Sequence, residues 1–548
     1  MSLFNSLYDQ FNQYLIKTFE LQLDSIKNCI IDENCEEKRS DFGDFSSNAP
    51  LVIAKVLKKN PREIALRIVQ DFVHDNVIKI EIAGAGFLNF FVKNCLYDNF
   101  IDCILKNPEL LVSKKFEKIS YNVEFVSANP TGPLHVGHGR GGIIGDLFSR
   151  ILKAKGYITT SEFYINDAGA QIDKLGLSLL IRYKALCNIH EEFPDDGYHG
   201  EYLIEMAHEL YNRYDNLLLD NDIVWFSSYA KEKLLNNINR TLLHYGITFD
   251  VWFSEKTLHE NGSIEHALAM LEKNGFTYIS EDGSLWLRST LLGDDKDRVI
   301  RRTNGIYTYV AADIAYLQNK IDRGAQKIIM VLGQDHHSYV VRLKAALHAL
   351  GHNPDILDII LYQLVTVKDA GELVRLSKRA GKIISLEDVI ETVGSDIARF
   401  FYLNKKADAH LDFDIQAAMQ KNDTNPVYYI QYSFVRIKSI LKKADTQKII
   451  FNQSSSSYEY NIIERMIIRK INHYDQLLDN IIRNYQVHLV SHYAYEISSL
   501  FNTYYNQYIC IDLEDKETTV NRLRLLSALY NLINQFCDIL GMTKPDMM

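Results

Sequence analysis

The chain has 548 residues and carries 60 Lys and Arg against 70 Asp and Glu, a formal net charge of −10. At about 150 residues per domain this length implies several domains, and 47% apolar with 24% charged residues excludes a disordered chain, a collagen-like repeat and a coiled-coil rod. An acidic average surface does not advertise a polyanion partner, so any nucleic-acid contact must come from local basic patches.

Leu3, Leu7, Phe11, Leu15 and Phe19 recur every four residues and predict an amphipathic helix. Residues 79–92 alternate and end with Gly84, Gly86 and a Phe-rich run, which predicts strands, so residues 1–115 are expected to form an α+β module. After a charged bridge at 114–118, residues 119–126 predict a short buried strand. Next comes Ser127-Ala-Asn-Pro-Thr-Gly-Pro-Leu-His-Val-Gly-His138, followed by Ile143, Ile144, Leu147, Phe148, Ile151 and Leu152 on one face of a helix. Residues 161–165 predict the next strand and complete a strand, turn, helix, strand unit of the doubly wound kind.

Residues 327–332 predict another strand, leading into Gly333-Gln-Asp-His-His337 and an amphipathic helix through Leu350. A third run at 359–367 leads to Val374-Arg-Leu-Ser-Lys-Arg-Ala-Gly381. This alternation argues for a parallel α/β catalytic domain over 116–395, with an insertion at about 170–300. From 396 to 548 the apolar periodicity is helical and strand signals nearly vanish, as in a helical bundle. The expected fold class is multidomain α/β: a doubly wound, Rossmann-like parallel-sheet domain between an N-terminal α+β domain and a C-terminal α-helical bundle.

Seven scattered cysteines, Cys29, Cys35, Cys95, Cys103, Cys187, Cys510 and Cys537, include no C-x-x-C pair. They read as reduced thiols of a cytoplasmic protein, without a disulfide frame or zinc ribbon. No run of about 18 apolar residues occurs, and the first twenty residues mix charged and amide side chains, so neither a membrane span nor a secretory signal is expected.

Two stretches carry chemistry. At the strand-to-helix turn, His135-Val-Gly-His138 places two imidazoles beside helix N–H groups, a setting that favours phosphate, and Gly137 permits close backbone approach. The same stretch contains Gly137-His-Gly-Arg-Gly-Gly142, a literal G-x-G-x-x-G, so a nicotinamide-dependent oxidoreductase is a rival reading. Against it, the first glycine comes about ten residues after the predicted strand, whereas a dinucleotide fingerprint follows its strand directly. Paired histidines three apart also suit a metal, or nothing but surface. The second stretch, Arg375-Leu-Ser-Lys-Arg-Ala-Gly381, is a cationic loop suited to neutralising a leaving pyrophosphate, with a solvated basic turn as its plain alternative.

Together the two stretches are far more specific. His135-x-Gly-His138 resembles the HIGH signature of class I aminoacyl-tRNA synthetases, and Leu376-Ser-Lys-Arg379 resembles their KMSKS loop. Further segments resemble the arginyl-tRNA synthetase family in family order: Tyr164-Ile-Asn-Asp-Ala-Gly169, Phe249-Asp-Val-Trp-Phe-Ser254, Tyr309-Val-Ala-Ala-Asp313 and Gly333-Gln-Asp335. Asp41-Phe-Gly-Asp-Phe45 with Asn48, and Pro61-Arg-Glu-Ile-Ala65, are similar to its tRNA-contacting N-terminal domain. Tyr428-Tyr-Ile-Gln-Tyr432 with Arg436 is similar to the start of its helical anticodon-binding domain. Arg375 stands where the KMSKS pattern has its first lysine, and Arg379 replaces its final serine.

The resemblance implies ATP-dependent ligation of L-arginine to its tRNA through an arginyl-adenylate. His135, His138 and Lys378 would be catalytic, with Gly137, Arg375 and Ser377 also around the ATP. An arginine pocket needs buried acids, because a carboxylate grips the planar guanidinium fork with two parallel hydrogen bonds. By resemblance Glu124 and Asp313 supply them, Tyr309 packs on the side chain, and Asn129 and Gln334 hold the α-amino and carboxylate groups. The implied partners are arginine tRNA, arginine and ATP with Mg2+, with no protein-bound zinc, no membrane, and a monomeric state. Asp335-His336-His337 is then a substrate-proximal turn rather than a metal cluster. A catalytically inactive, synthetase-like RNA-binding protein is a third reading, against which His135, His138 and Lys378 all stand intact.

Overall fold

The computed structural model describes residues 5–34, 42–115, 118–369, 371–373, 385–420, 425–451 and 458–547. α1 (Asn5–Phe19) buries Leu7, Phe11, Leu15 and Phe19, the face that their spacing predicts, while Leu3 lies outside the described residues. It packs on an antiparallel sheet ordered β1-β2-β4-β3, made of β1 (Ile31–Glu33), β2 (Phe45–Ser47), β3 (Val77–Ala83) and β4 (Phe87–Val92). α2 (Ala49–Leu57) and α3 (Pro61–Asp71) connect β2 to β3, and α4 (Asn94–Lys106) follows β4. Aromatic rings hold this core: Phe11 meets Phe72 and Phe90 edge-on at 5.1 and 5.3 Å, and Phe45 stacks on Phe90 at 4.9 Å.

The central sheet is parallel and ordered β12-β11-β5-β6-β7. β5 (Ser120–Glu124) leads through α5 (Val136–Ala154) to β6 (Ile158–Ile165). Three long helices follow, α6 (Ala170–Leu186), α7 (Glu201–Tyr214) and α8 (Ile223–His244), packed around their own core of Leu175, Leu179, Leu210 and Phe226. β7 (Val251–Ser254) then joins the edge of the central sheet, although it falls inside the span expected as an insertion. Four residues are too few for a period to show.

α9 (Glu255–Glu260), α10 (Ser263–Lys273) and a small antiparallel sheet of β8 (Thr277–Ile279), β9 (Leu285–Leu287) and β10 (Arg298–Arg301) precede α11 (Tyr309–Asp322). β11 (Lys327–Gly333), α12 (His337–Ala349) and β12 (Leu357–Tyr362) finish the sheet. The chain runs outward from β5 through β6 and β7, then returns to β11 on the other side of β5. That reversal opens a crevice at the carboxyl ends of β5 and β11, the place where doubly wound sheets bind ligands.

The single strand expected over 359–367 is two strands in different sheets, β12 and β13 (Val365–Asp369). β14 (Glu372–Leu373), α13 (Leu386–Val393), α14 (Ser395–Tyr402), β15 (Leu411–Asp414) and α15 (Ile415–Met419) follow. β13 pairs antiparallel with β14 and parallel with β15, so a strand stands within 396–548, the span expected to form the helical bundle. The bundle proper is α16 (Pro426–Thr446), α17 (Ile462–Asn484), α18 (His488–Gln507) and α19 (Lys516–Leu540). Its helices start on strong signals: Pro426 at the first turn of α16, an Asn461 and Glu464 capping box on α17, and Asp515 capping α19. α17 ties the bundle to both other parts, through Arg469 to Asp44 at 3.0 Å and through the fully buried Lys155 to Asp475 at 2.6 Å. Among the described residues no helix is long and apolar enough to cross a membrane.

Candidate active site

His135 is the N-cap of α5, in extended backbone at φ −95° and ψ 166°. Its Nδ1 accepts the Gly137 N–H at 3.1 Å, and His138 Nδ1 accepts the His135 N–H at 3.2 Å. The two rings stack with centroids 3.7 Å apart. This is a capping box with imidazoles in both positions, a structural role that the motif did not disclose. A neutral imidazole whose Nδ1 accepts carries its proton on Nε2, the atom that can donate to a phosphate. Burial, with help from the neighbouring His135, pushes the His138 pKa down to about 3, so His138 is an uncharged donor at physiological pH.

A Cβ on Gly137 would lie 2.9 Å from His135 Cε1, so this glycine makes room for the His135 ring. Cβ atoms at Gly139, Gly141 and Gly145 would meet Leu386, Tyr362 and Phe125 at 2.7, 2.7 and 2.2 Å. The glycines are a packing stripe inside α5, and no part of the 137–142 run forms the turn after a strand that a dinucleotide fingerprint requires. The oxidoreductase reading is therefore not supported.

Glu124 closes β5 in register with Met330 of β11 and Glu162 of β6. It is buried, and the fully buried Lys320 lies 2.7 Å from its Oε2. Lys320 also reaches Asn122 Oδ1 at 2.8 Å and lies 3.6 Å from Glu162. Burial works to raise the Glu162 pKa, but Lys320, the Arg323 fork and the Tyr316 hydroxyl outweigh it and hold the carboxyl down at about 2. Beyond Glu124 the chain is strained: Val126 and Ser127 have φ of 66° and 41°, left-handed values that a β-branched residue rarely adopts. Ser127 secures the turn, its Oγ donating to Glu124 Oε1 at 3.1 Å and accepting the Tyr164 N–H at 3.1 Å.

Asp313 lies one turn after Tyr309 on the same face of α11, and the Tyr339 hydroxyl donates to its Oδ2. Among the described residues it has no ion pair. Burial, and then Glu255 and Glu124, push its pKa up to about 7 against the Tyr339 hydrogen bond. Glu255, the buried first residue of α9, is likewise raised to about 7, by burial and by Asp167. Buried acids raised together in this way are candidates for a functional site. Sequence reading missed Glu255, Tyr339 and Lys320. Glu255 directly follows the Phe249-Asp-Val-Trp-Phe-Ser254 segment, but nothing local separates it from any other helix-starting acid.

These groups give a pH prediction. If these two acids receive the guanidinium that the resemblance implies, both must be charged when arginine is bound, whereas burial holds their pKa values up at about 7. Arginine affinity should therefore rise from pH 6 to 8, with release of about one proton or more per arginine bound near pH 6.5. Calorimetry in buffers of different ionisation enthalpy measures this, and a pH-independent affinity with no proton release would remove these two acids from the pocket.

Asn129 is exposed on the loop between β5 and α5, Gln334 is half-buried just beyond β11, and Tyr309 is 60% exposed at the mouth of α11. Arg375, Ser377 and Lys378 lie outside the described residues. Asp335, His336 and His337 are all exposed, and no group of three or more potential metal ligands occurs among the described residues. In the bundle, Arg436 lies between the Tyr432 and Tyr505 rings at 4.1 and 4.2 Å, lining an open groove of about 650 Å³ with Lys443 and Tyr508.

Comparison with known proteins covers nearly the whole chain. Residues 101–452 match the family described as tRNA synthetases class I (R), catalytic domain; residues 5–92 match the arginyl tRNA synthetase N terminal domain, and residues 430–548 match the DALR anticodon binding domain. An arginine–tRNA ligase of Bacillus subtilis is 37% identical over 526 residues, covering 93% of each chain. One from Moorella thermoacetica is 38% identical over 540 residues, covering 96% of this chain and 95% of its own. The Thermus thermophilus arginyl-tRNA synthetase structure superposes with a TM-score of 0.74 at 20% identity over 99% of both chains, a likeness of fold.

Proposed function

The chain belongs to the arginyl-tRNA synthetase family, and we propose that it joins L-arginine to its cognate tRNA in two steps. The arginine carboxylate attacks the α-phosphorus of Mg-ATP, giving arginyl-adenylate and pyrophosphate. The terminal ribose hydroxyl of the tRNA then takes the arginyl group, and AMP leaves. Phosphoryl chemistry of this kind needs positioning and charge neutralisation more than a side-chain nucleophile. In this reading His135 and His138 donate from Nε2 to ATP phosphates, and Lys378, with Arg375 and Ser377 beside it, meets the leaving pyrophosphate. Glu124, Asp313 and Glu255 receive the guanidinium, Tyr309 covers the side chain, and Asn129 and Gln334 hold the α-amino and carboxylate ends. No general base is required.

The observation that carries this reading is the order of the chain at the switch point: Glu124, the buried end of β5, leads into the turn where His135 and His138 cap α5, while Asp313, an acid with no ion pair among the described residues, has Glu255 and Glu124 as its electrostatic neighbours. Residues 1–115 and 396–548 would take the tRNA from either side, the second through the Tyr432, Arg436 and Tyr505 groove, where stacked bases suit aromatic and guanidinium planes. The enzyme would act as a monomer in the cytoplasm.

Pyrophosphate exchange into ATP with each amino acid, in the presence of arginine tRNA, tests the assignment. Exchange should occur with arginine alone among them; exchange with a different amino acid, or with none, refutes it. Because an acidic protein must spread its tRNA contacts over separate local patches, remote binding energy is available to complete the site. Exchange should then be near background without tRNA, appear on adding arginine tRNA, and fall steeply with salt. Full exchange without tRNA would sink the coupling and leave the assignment standing.

A further inference from the structure

Arg140 is the second-turn residue of α5, two positions beyond His138, and is wholly buried. Its guanidinium donates to three backbone carbonyls: Gln363 O at 2.9 Å and Ala409 O at 2.8 Å from Nη1, and Lys406 O at 2.7 Å from Nη2. Among the described residues it makes no ion pair. A buried guanidinium bonded only to carbonyls, with Asp408 acting on it at longer range and not as an ion pair, is a poor device for stability, since an apolar side chain of similar volume stabilises as well or better. The other fully buried arginine on this face, Arg399, has Asp146 as its carboxylate.

The three acceptors share one location. Gln363 lies between β12 and β13, and Lys406 and Ala409 lie in the loop that leads into β15. The Gln363 N–H donates to Ala407 O at 2.9 Å, and from there β13 and β15 run in parallel, Val365 beside Leu411. Arg140 therefore closes the base of the small sheet onto the beginning of α5. Packing around it is equally tight: the Tyr402 hydroxyl donates to Val136 O at 2.8 Å, and the Gly139 and Gly141 positions admit no Cβ beside Tyr402 and Tyr362. The strand-to-helix turn is also bridged to the start of α13, His135 pairing with Ser385 and the Leu386 N–H donating to Leu134 O at 2.8 Å. The loop is also held from the bundle, by Ser491 Oγ donating to Leu403 O at 3.1 Å and His492 Nε2 at 3.2 Å from Asn404 O.

We propose that Arg140 is a positioning residue for adenylate formation: its three-carbonyl clamp fixes the β13–β14–β15 sheet against the first turn of α5 and so sets the histidine pair relative to the Leu373 end of β14. The requirement is for a planar fork: a lysine has three N–H donors, but on a single nitrogen of a shorter side chain, so it cannot reproduce the two donor positions, Nη1 and Nη2, from which Arg140 meets Gln363 and Ala409 on one side and Lys406 on the other. The inference rests on the proposed reading of the histidine site.

The test compares full-length Arg140→Lys and Arg140→Met with wild type in pyrophosphate exchange, using arginine, Mg-ATP and arginine tRNA. Rates are expressed per active site from a burst titration, and folding is checked by thermal melting. Both variants should lose about 10²-fold in kcat, the scale of an ångström-sized misplacement, while the KM for arginine stays within about twofold. A folded variant whose kcat per active site stays near wild type overturns the proposal, because a merely structural arginine lowers the active fraction and leaves the working sites intact. It is also overturned if Arg399→Met, which removes the partner of Asp146 in the middle of α5, gives the same kcat loss, or if neither Arg140 variant folds. Wild-type exchange with arginine is the separate check on the underlying reading, so the two can fail independently.

Discussion

Asp313→Asn is expected to reduce kcat/KM for arginine by about 3–5 kcal/mol, between two and nearly four orders of magnitude, with the KM for ATP little changed. The substitution keeps the volume and leaves an oxygen to accept the Tyr339 hydroxyl, so the pocket's shape survives. What is lost is the charge that a guanidinium needs once both partners are out of water. Stability should move the other way. The folded Asp313 pKa lies at about 7, above the ordinary carboxylate range, so its protonated form is the one favoured by the fold. That contribution is complete at acid pH below the unfolded value and is lost as pH rises through 7. At pH 8, without arginine, the Asn variant should therefore melt higher than wild type, with the difference closing towards pH 5. Steady-state kinetics and melting curves at the two pH values check both halves. A variant that loses ATP affinity but uses arginine normally would show the residue to be misplaced, and one that simply melts earlier at pH 8 would show a structural acid.

The sequence was most informative where chemistry and local pattern coincide. The strand before the histidines, the apolar face of α5 and the amphipathic α1 all announce themselves by residue spacing, although the strand expected over 119–126 ends at Glu124. What the pattern could not show is pairing between distant segments. β13 and β15 are each short, and their parallel partnership, Val365 beside Leu411, exists only in three dimensions. The run read as β12 continued is broken for the same reason: two strands that belong to different sheets are contiguous in sequence. The glycines of 137–142 carried a misleading signal, because a motif that cradles phosphate and a stripe that lets Tyr362 and Leu386 approach a helix use the same residue. Lys320 and Glu255 were invisible for an electrostatic reason. A lysine in an amphipathic helix and a glutamate at a helix start both read as solvated charges until burial shows one compensating Glu124 and the other raising Asp313.

The capping role of the histidines yields the second large effect. His138 does two jobs with two atoms: Nδ1 accepts the His135 N–H and completes the helix cap, and Nε2 is the proposed donor to phosphate. Asn and Gln separate them. The side-chain oxygen of Asn can occupy the Nδ1 position and preserve the cap, but its amide stops short of Nε2. Gln extends an N–H towards Nε2 and leaves nothing at Nδ1. His138→Asn should therefore fold with nearly wild-type stability and form adenylate about 10²–10³-fold more slowly, the effect of deleting one preorganised donor to developing charge. His138→Gln should lose about 1 kcal/mol of stability with the cap and keep its rate within about tenfold. Single-turnover adenylate formation, measured beside thermal melting, decides between them. The reverse pattern, a fast Asn variant and a slow Gln variant, would confine His138 to holding the helix start. The pH dependence adds an independent reading of the same atom. With its pKa at about 3, His138 is uncharged throughout the working range, so a rate step near pH 6.5 that disappears in His138→Gln would mean that the ring acts as a titrating acid or base, contrary to a neutral donor fixed at the N-terminus of α5.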